Sequence, residues 1–246
     1  MRIISYVLKS MIFKIKFIIL LLLTVCQIAF AQIAKEKAGE LWESRKNEIN
    51  ILYEEGNFDA ALNVAEELLK HAENAFGLKS WQYVSSLLNM AQIQSDLDLL
   101  EEANNSYELA LENCVKVFGE DSNETLDVLD KYGEFLNSID PEMGEPVLKE
   151  ALKLTSIDDP KRATRMQAVG MNMQELGKIS EAQTMLVEAI KLYKNNLGLD
   201  NLETLSAMVR LGQIYLSQGE YNSSQGIFEK VLPFLQALPD AGLFLI

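Results

Sequence analysis

The sequence predicts an all-α fold, an α-solenoid of about five antiparallel helix pairs, and three observations predict it. Steps of 42 residues lead from Ala61 to Ala103 and from Ala182 to Ser224, with Gly144 holding the same place between them. Seven residues beyond these five anchors stand Leu68, Ala110, Ala151, Ala189 and Val231, each followed by Leu or Ile. Twelve residues before the last four anchors, or eleven in the third, stand Ala91, Gly133, Gly170 and Gly212. A fixed period in this range means that each unit buries its apolar face against its neighbours alone.

The amino terminus reads as an export signal. Arg2, Lys9, Lys14 and Lys16 precede an uncharged run from Phe17 to Ala31, and Ala29-Phe30-Ala31 offers small residues where a signal peptidase reads them. The run is shorter than the roughly 20 residues a spanning helix needs, which disfavours the alternative of an uncleaved anchor. Cys26 follows Val25, a poor residue to precede a lipid-modified cysteine. The expected layout is a signal peptide over 1–31, cleaved after Ala31, a repeat array over 32–240 and an apolar tail over 241–246. The product is then periplasmic or secreted, with no stable membrane insertion after cleavage.

Removing residues 1–31 takes away four basic residues and no acid, leaving 18 Lys and Arg against 36 Asp and Glu, a net charge of −18. Such a surface excludes nucleic acid as a partner class, because counterion release has nothing to act on. Cys114 is then the remaining cysteine and reads as a buried, inert thiol.

The repeats fall near 35–77, 78–119, 120–157, 158–198 and 199–238, two helices in each. In the second, Leu87, Leu88, Met90, Ala91 and Ile93 form a helical stripe. Ala103, Tyr107, Ala110, Leu111, Cys114, Val115 and Phe118 form the next, closed by Gly119. Gly56, Asp98, Gly177 and Gly219 mark the turn inside four repeats. The linkers from Gly119 to Thr125-Leu126 and from Gly198 to Thr204-Leu205 align residue for residue, with polar side chains suited to cap the next helix. The third repeat loses one residue in its inner turn, Asp140-Pro-Glu-Met-Gly144, and leaves through the shorter Ser156-Ile-Asp-Asp-Pro160, so a local kink is expected there. Ile49 stands where the first repeat should carry a small residue.

Small residues 12 and then 7 apart, as at Ala91, Ala103 and Ala110, allow helices to approach within about 8–10 Å. This spacing resembles the tetratricopeptide repeat over about residues 34 to 238. The 42-residue period, with Phe-Gly or Leu-Gly closing a long second helix, is more similar to the kinesin-light-chain branch than to the form of about 34 residues. That branch's Pro-Asp-His-Pro sequence after the closing Gly is absent. The resemblance implies a superhelix whose first helices line a concave groove, with groove positions two before and one after the small residue. These are Asn47 and Asn50, Asn89 and Gln92, Lys131 and Glu134, Ala168 and Met171, and Arg210 and Gln213. Amide side chains bond both donors and acceptors of an extended peptide, and Lys131 and Arg210 are suited to acidic groups of a ligand.

Catalytic constellations are not legible. His71 has no partner for a triad or metal site, and reads as a surface residue. The 13 glycines form no phosphate loop. Glu66-Glu67, Glu101-Glu102 and Asp158-Asp159 read as solvated acids, and Trp42 and Trp81 as core. The expectation is a non-enzymatic scaffold without cofactor or metal, binding a peptide or helix of a partner protein. Beyond Leu238-Pro239 no polar capping helix is legible, which leaves three readings, the first being that the apolar tail folds back over the fifth repeat. Otherwise the open end is a surface for self-association, or the chain is the amino-terminal regulatory part of a longer protein with a protease-like effector domain.

Overall fold

The computed structural model describes residues 2–236, all of whose regular structure is helical. Ten helices follow in order: α1 Arg2–Glu54, α2 Phe58–Phe76, α3 Trp81–Asp96, α4 Leu100–Phe118, α5 Asn123–Ile139, α6 Pro141–Leu154, α7 Arg162–Glu175, α8 Ile179–Asn196, α9 Leu202–Ser217 and α10 Tyr221–Gln236. The apolar tail at 241–246, and with it the expected open end, lies outside the described residues. The chain divides into two compact sections, one ending at Ala103 and the other beginning at Asn104.

Turn chemistry explains the repeat. Gly56, Gly177 and Gly219 have φ of +73°, +72° and +78°, and Asp98, at +61°, is the only other described residue with positive φ outside glycine. Each sits two residues past the last residue of a helix in the same motif. At Gly177 the amide donates to Gln174 O at 3.0 Å, and the next amide, of Lys178, reaches back to Met173 O at 2.8 Å. The same pair of bonds recurs around Gly56, Asp98 and Gly219, using carbonyls the helix end would otherwise leave unpaired. The third repeat lacks this turn. Asp140 alone joins α5 to α6, with φ −154°, and its carboxylate accepts from the amide of Glu142 at 2.9 Å.

In the first section Trp42 and Ile49 of α1, Ala61, Ala65 and Leu68 of α2 and Val84, Leu87 and Ala91 of α3 are buried. The first helices are tied directly: Trp42 Nε1 donates to Ser86 Oγ at 3.0 Å and Tyr53 OH to Asp96 at 2.6 Å. Ile49 is 3% exposed, so the first repeat packs there through a large side chain. Side chains from Ala29 to Lys37 are exposed, and packing on α1 begins at Ala38.

In the second section the core is handed from one helix pair to the next. Leu126, Leu129 and Ala151 pack between α5 and α6. Leu148, Val169, Leu186, Leu211 and Ile214 join α6 to α9, and Leu205, Met208 and Val231 close α9 on α10. The small residues of the first helices have one fixed use. A Cβ on Gly133 would meet Leu148 at 2.7 Å, one on Gly170 would meet Leu186 at 3.2 Å, and one on Gly212 would meet Phe228 at 2.9 Å. In each case the contact is the residue one turn beyond the repeat's anchor, so the register survives the residue lost in the third repeat. The shorter turn is felt instead at Gly144, whose absent Cβ would lie 2.7 Å from the Asn137 backbone.

The linkers carry a contact the sequence did not suggest. Ser122 and Asn201 cap α5 and α9 as expected. Thr125 and Thr204, both buried, turn back instead and donate to the carbonyls of Gly119 at 2.6 Å and Gly198 at 2.7 Å. The aligned threonines therefore lock the left-handed glycine to the start of the next helix.

Candidate functional site

The first helices of the second section, α5, α7 and α9, expose side chains along one face because their opposite face is fixed by the glycine contacts above. Glu134, Ala168 and Met171 meet there, as their positions one after or two before the small residue require. They line one depression of about 250 Å³, together with Thr164, Tyr193 and Glu203. Lys131 lies in an adjoining depression of about 340 Å³ with Asp127, Asp130 and Lys161, and Glu134 and Ala168 border both. Arg210 and Gln213 line a third, of about 400 Å³, between α9 and Leu235 of α10. Gln213 also borders an apolar one of about 650 Å³ formed with Tyr221 and Phe228.

The charges here are unevenly matched. The Arg165 guanidinium is buried, 3% exposed, and bonds Asp130 through Nε at 2.9 Å, Asp159 at 3.4 Å and Thr155 Oγ1 at 3.0 Å. Lys161 pairs with Asp127 at 2.5 Å. Burial raises the Asp130 carboxyl above its ordinary value in spite of Arg165, and Asp127 beside it adds to the rise. Glu134 is open to solvent by area, yet the groove walls desolvate its carboxyl and, with Asp130, raise it; Lys131 draws it back. Neither Glu134 nor Glu203 forms an ion pair among the described residues. Gln167 Oε1 is buried at the same depression without a hydrogen-bond donor.

In the first section Asn47 and Asn50 are exposed on α1. Asn89 is half-buried, and its Nδ2 is buried without an acceptor. Gln92 donates to Asp96 at 3.2 Å, so its amide is engaged with the carboxylate that also holds Tyr53.

Three readings change. His71 is not a surface residue: it is half-buried, its Nε2 lies 2.9 Å from Ala38 O, and its ring meets Phe76 edge-on at 6.1 Å. A histidine with an apolar body and one polar tip is suited to seal that α1–α2 contact. Asp159 is not a solvated acid, because Arg165 takes it up. Trp81 is only partly buried, whereas Trp42 is core, 4% exposed. Cys114 is fully buried and free, and burial raises its thiol, as an inert cysteine requires. Among the described residues no group of three or more His, Cys, Asp or Glu is placed to hold a metal ion.

Sequence reasoning missed Asp127, Thr164, Glu203 and Ser206, which line the same depressions. The signal was present. Each stands seven residues before a groove position (Glu134, Met171, Arg210 and Gln213), and seven residues are two helical turns along one face.

Helix pairs of fixed register, glycine contacts between them and a furrow along the first helices define a tetratricopeptide-type repeat array. Residues 162–237 match the model of the tetratricopeptide repeat family. No curated protein matches the sequence. Among solved structures, the chain is similar to the nearly identical TPR-like repeats of a putative kinesin light chain from Podosopora anserina. The TM-score is 0.67 at 13% identity, over 78% of this chain and 93% of that one. BtubC (BKLC) from P. vanneervenii is similar with a TM-score of 0.69 at 18% identity, over 86% and 90%. MamA from Desulfovibrio magneticus gives 0.57 at 14% identity, over 81% and 97%. At these identities the likeness is one of fold.

Proposed function

We propose that the chain is an exported, non-enzymatic scaffold that holds a peptide or helix of a partner protein along α5, α7 and α9. Arrays of this repeat type generally serve protein–protein interaction, because stacking leaves an extended binding surface on one face. The observation that carries the reading is the convergence of Glu134, Ala168 and Met171 on one depression: groove positions from successive repeats form a continuous furrow with an apolar floor. A segment laid across such a furrow finds anchors at regular intervals. The test is capture of partners from the envelope fraction of the exporting cell with the parent chain and with Ala168→Trp, which fills both adjoining depressions. Loss of the partner with Ala168→Trp, but not with a change on an outer helix such as Glu188→Ala, is expected. Equal retention by both variants contradicts groove binding.

Export is supported by the basic region, apolar core and Ala29-Phe30-Ala31 site of the sequence. The exposed side chains from Ala29 to Lys37 mean that cutting after Ala31 leaves the buried Trp42 and Ile49 contacts intact. Mass spectrometry of the chain from the cell envelope tests this. A new terminus at Gln32 is the expected result, and an intact Met1 start contradicts it.

A further inference from the structure

We infer that the depression between α5, α7 and α9 receives a basic side chain, Arg or Lys, from the bound segment; this rests on the groove reading above and names the chemistry of its ligand. The depression is rich in acceptors and poor in donors. Glu134 and Glu203 bring two carboxylates to it with no ion pair, and Gln167 Oε1 is a buried oxygen with no donor. Tyr193 OH, a hydroxyl of the same depression, is already given to Thr164 Oγ1 at 3.0 Å.

The chain's own cations are committed elsewhere. Arg165 is held by Asp130 and Asp159 and Lys161 by Asp127, and all of these but Asp159 line the adjoining depression. Lys131, which draws the Glu134 carboxyl down, is the remaining cation there. A buried acceptor left unpaired is costly, and a desolvated carboxylate gains from any cation brought within reach. A guanidinium or ammonium supplies several donors and a full charge at once.

Size and floor agree with this. At about 250 Å³ the depression is below the roughly 300–1,000 Å³ of small-molecule sites, and suits one long side chain. Leu148, Ala168 and Met171 give an apolar floor for the methylene stem while the charged head reaches the carboxylates. The net charge of −14 steers a cationic segment toward the chain from a distance. The expectation that Lys131 serves an acidic group concerns the adjoining depression, which Lys131 lines, and is separate from this one.

The test is methyl NMR on the chain as it accumulates in the cell, labelled at methionine, with Met171 reporting from the depression and buried Met208 reporting on the fold. The probes are acetyl-Leu-Arg-Leu-amide and its citrulline and glutamate analogues at millimolar concentration. The Arg peptide is expected to move the Met171 methyl signal, with citrulline roughly ten-fold weaker, as loss of a charged hydrogen bond implies. Glu134→Gln with Glu203→Gln should lose the same factor while Met208 stays put, and Lys131→Ala should strengthen binding. Equal shifts from the Arg and citrulline peptides overturn the inference and leave the groove reading standing. Absence of any shift overturns it too, and the capture experiment with Ala168→Trp then decides the groove reading by itself.

Discussion

Gly144 and Gly226 are both helical glycines, and replacing each by alanine should move stability in opposite directions. Alanine is favoured over glycine in a helix by about 1 kcal/mol, so propensity alone predicts a gain at both. At Gly226 nothing lies within 4 Å of the new Cβ, and the gain is realised. At Gly144 the Cβ would stand 2.7 Å from Asn137 N, Cα and Cβ. Two of those atoms are backbone, so α6 must move away from α5. Overpacking of this kind costs about 1–3 kcal/mol, which outweighs the propensity gain. With backbone in the way the cost falls in the upper part of that range, about 2–3 kcal/mol, for a net loss of about 1–2 kcal/mol; at about 2–4 °C per kcal/mol for a chain of this size, Gly144→Ala should lower Tm by roughly 2–8 °C and Gly226→Ala raise it by roughly 2–4 °C. Thermal melts followed by circular dichroism read both. An unchanged or raised Tm for Gly144→Ala would refute the argument that the shortened turn presses the two backbones together.

Three further outcomes follow from the contacts. Arg165→Met should cost about 3–5 kcal/mol, because it strands Asp130 and Asp159, and adding Asp130→Asn should recover part of the loss in urea midpoint. Thr125→Val and Thr204→Val should each cost about 1 kcal/mol by urea denaturation, and by similar amounts, since they remove the same bond to a glycine carbonyl. Glu134 has a folded pKa above its unfolded value of about 4.5, so its contribution is fully present below that pH and is lost as pH rises through the raised value. Glu134→Gln should therefore be more stable than the parent at pH 7, with the difference gone below about pH 4; a less stable Gln variant at pH 7 would mean a cation already serves that carboxylate.

The repeat was legible because it rests on backbone rules. Gly56, Gly177 and Gly219 sit where a left-handed residue is needed, and Asp98 fills the same role with the side chain best tolerated there after glycine and asparagine. Gly133, Gly170 and Gly212 were legible as close approaches, though not which side chains they admit, since Leu148, Leu186 and Phe228 come from the partner helix. The groove was half legible. Glu134, Ala168 and Met171, beside the small residues, line one depression, but the face continues two turns toward the amino terminus, through Asp127, Thr164 and Glu203. The Arg165 cluster was hidden for a different reason. Its acids stand on α5 and in the loop before α7, and charged residues at those spacings look the same in sequence whether solvated or buried. His71 was misjudged likewise, since its acceptor is a backbone carbonyl 33 residues away.

Site-specific photocrosslinking in the exporting cell tests the groove most directly. A benzoylphenylalanine at Ala168 should capture a discrete partner, while the same residue at Glu188, exposed on α8, should not. Capture from Glu188 with none from Ala168 would contradict partner binding along α5, α7 and α9.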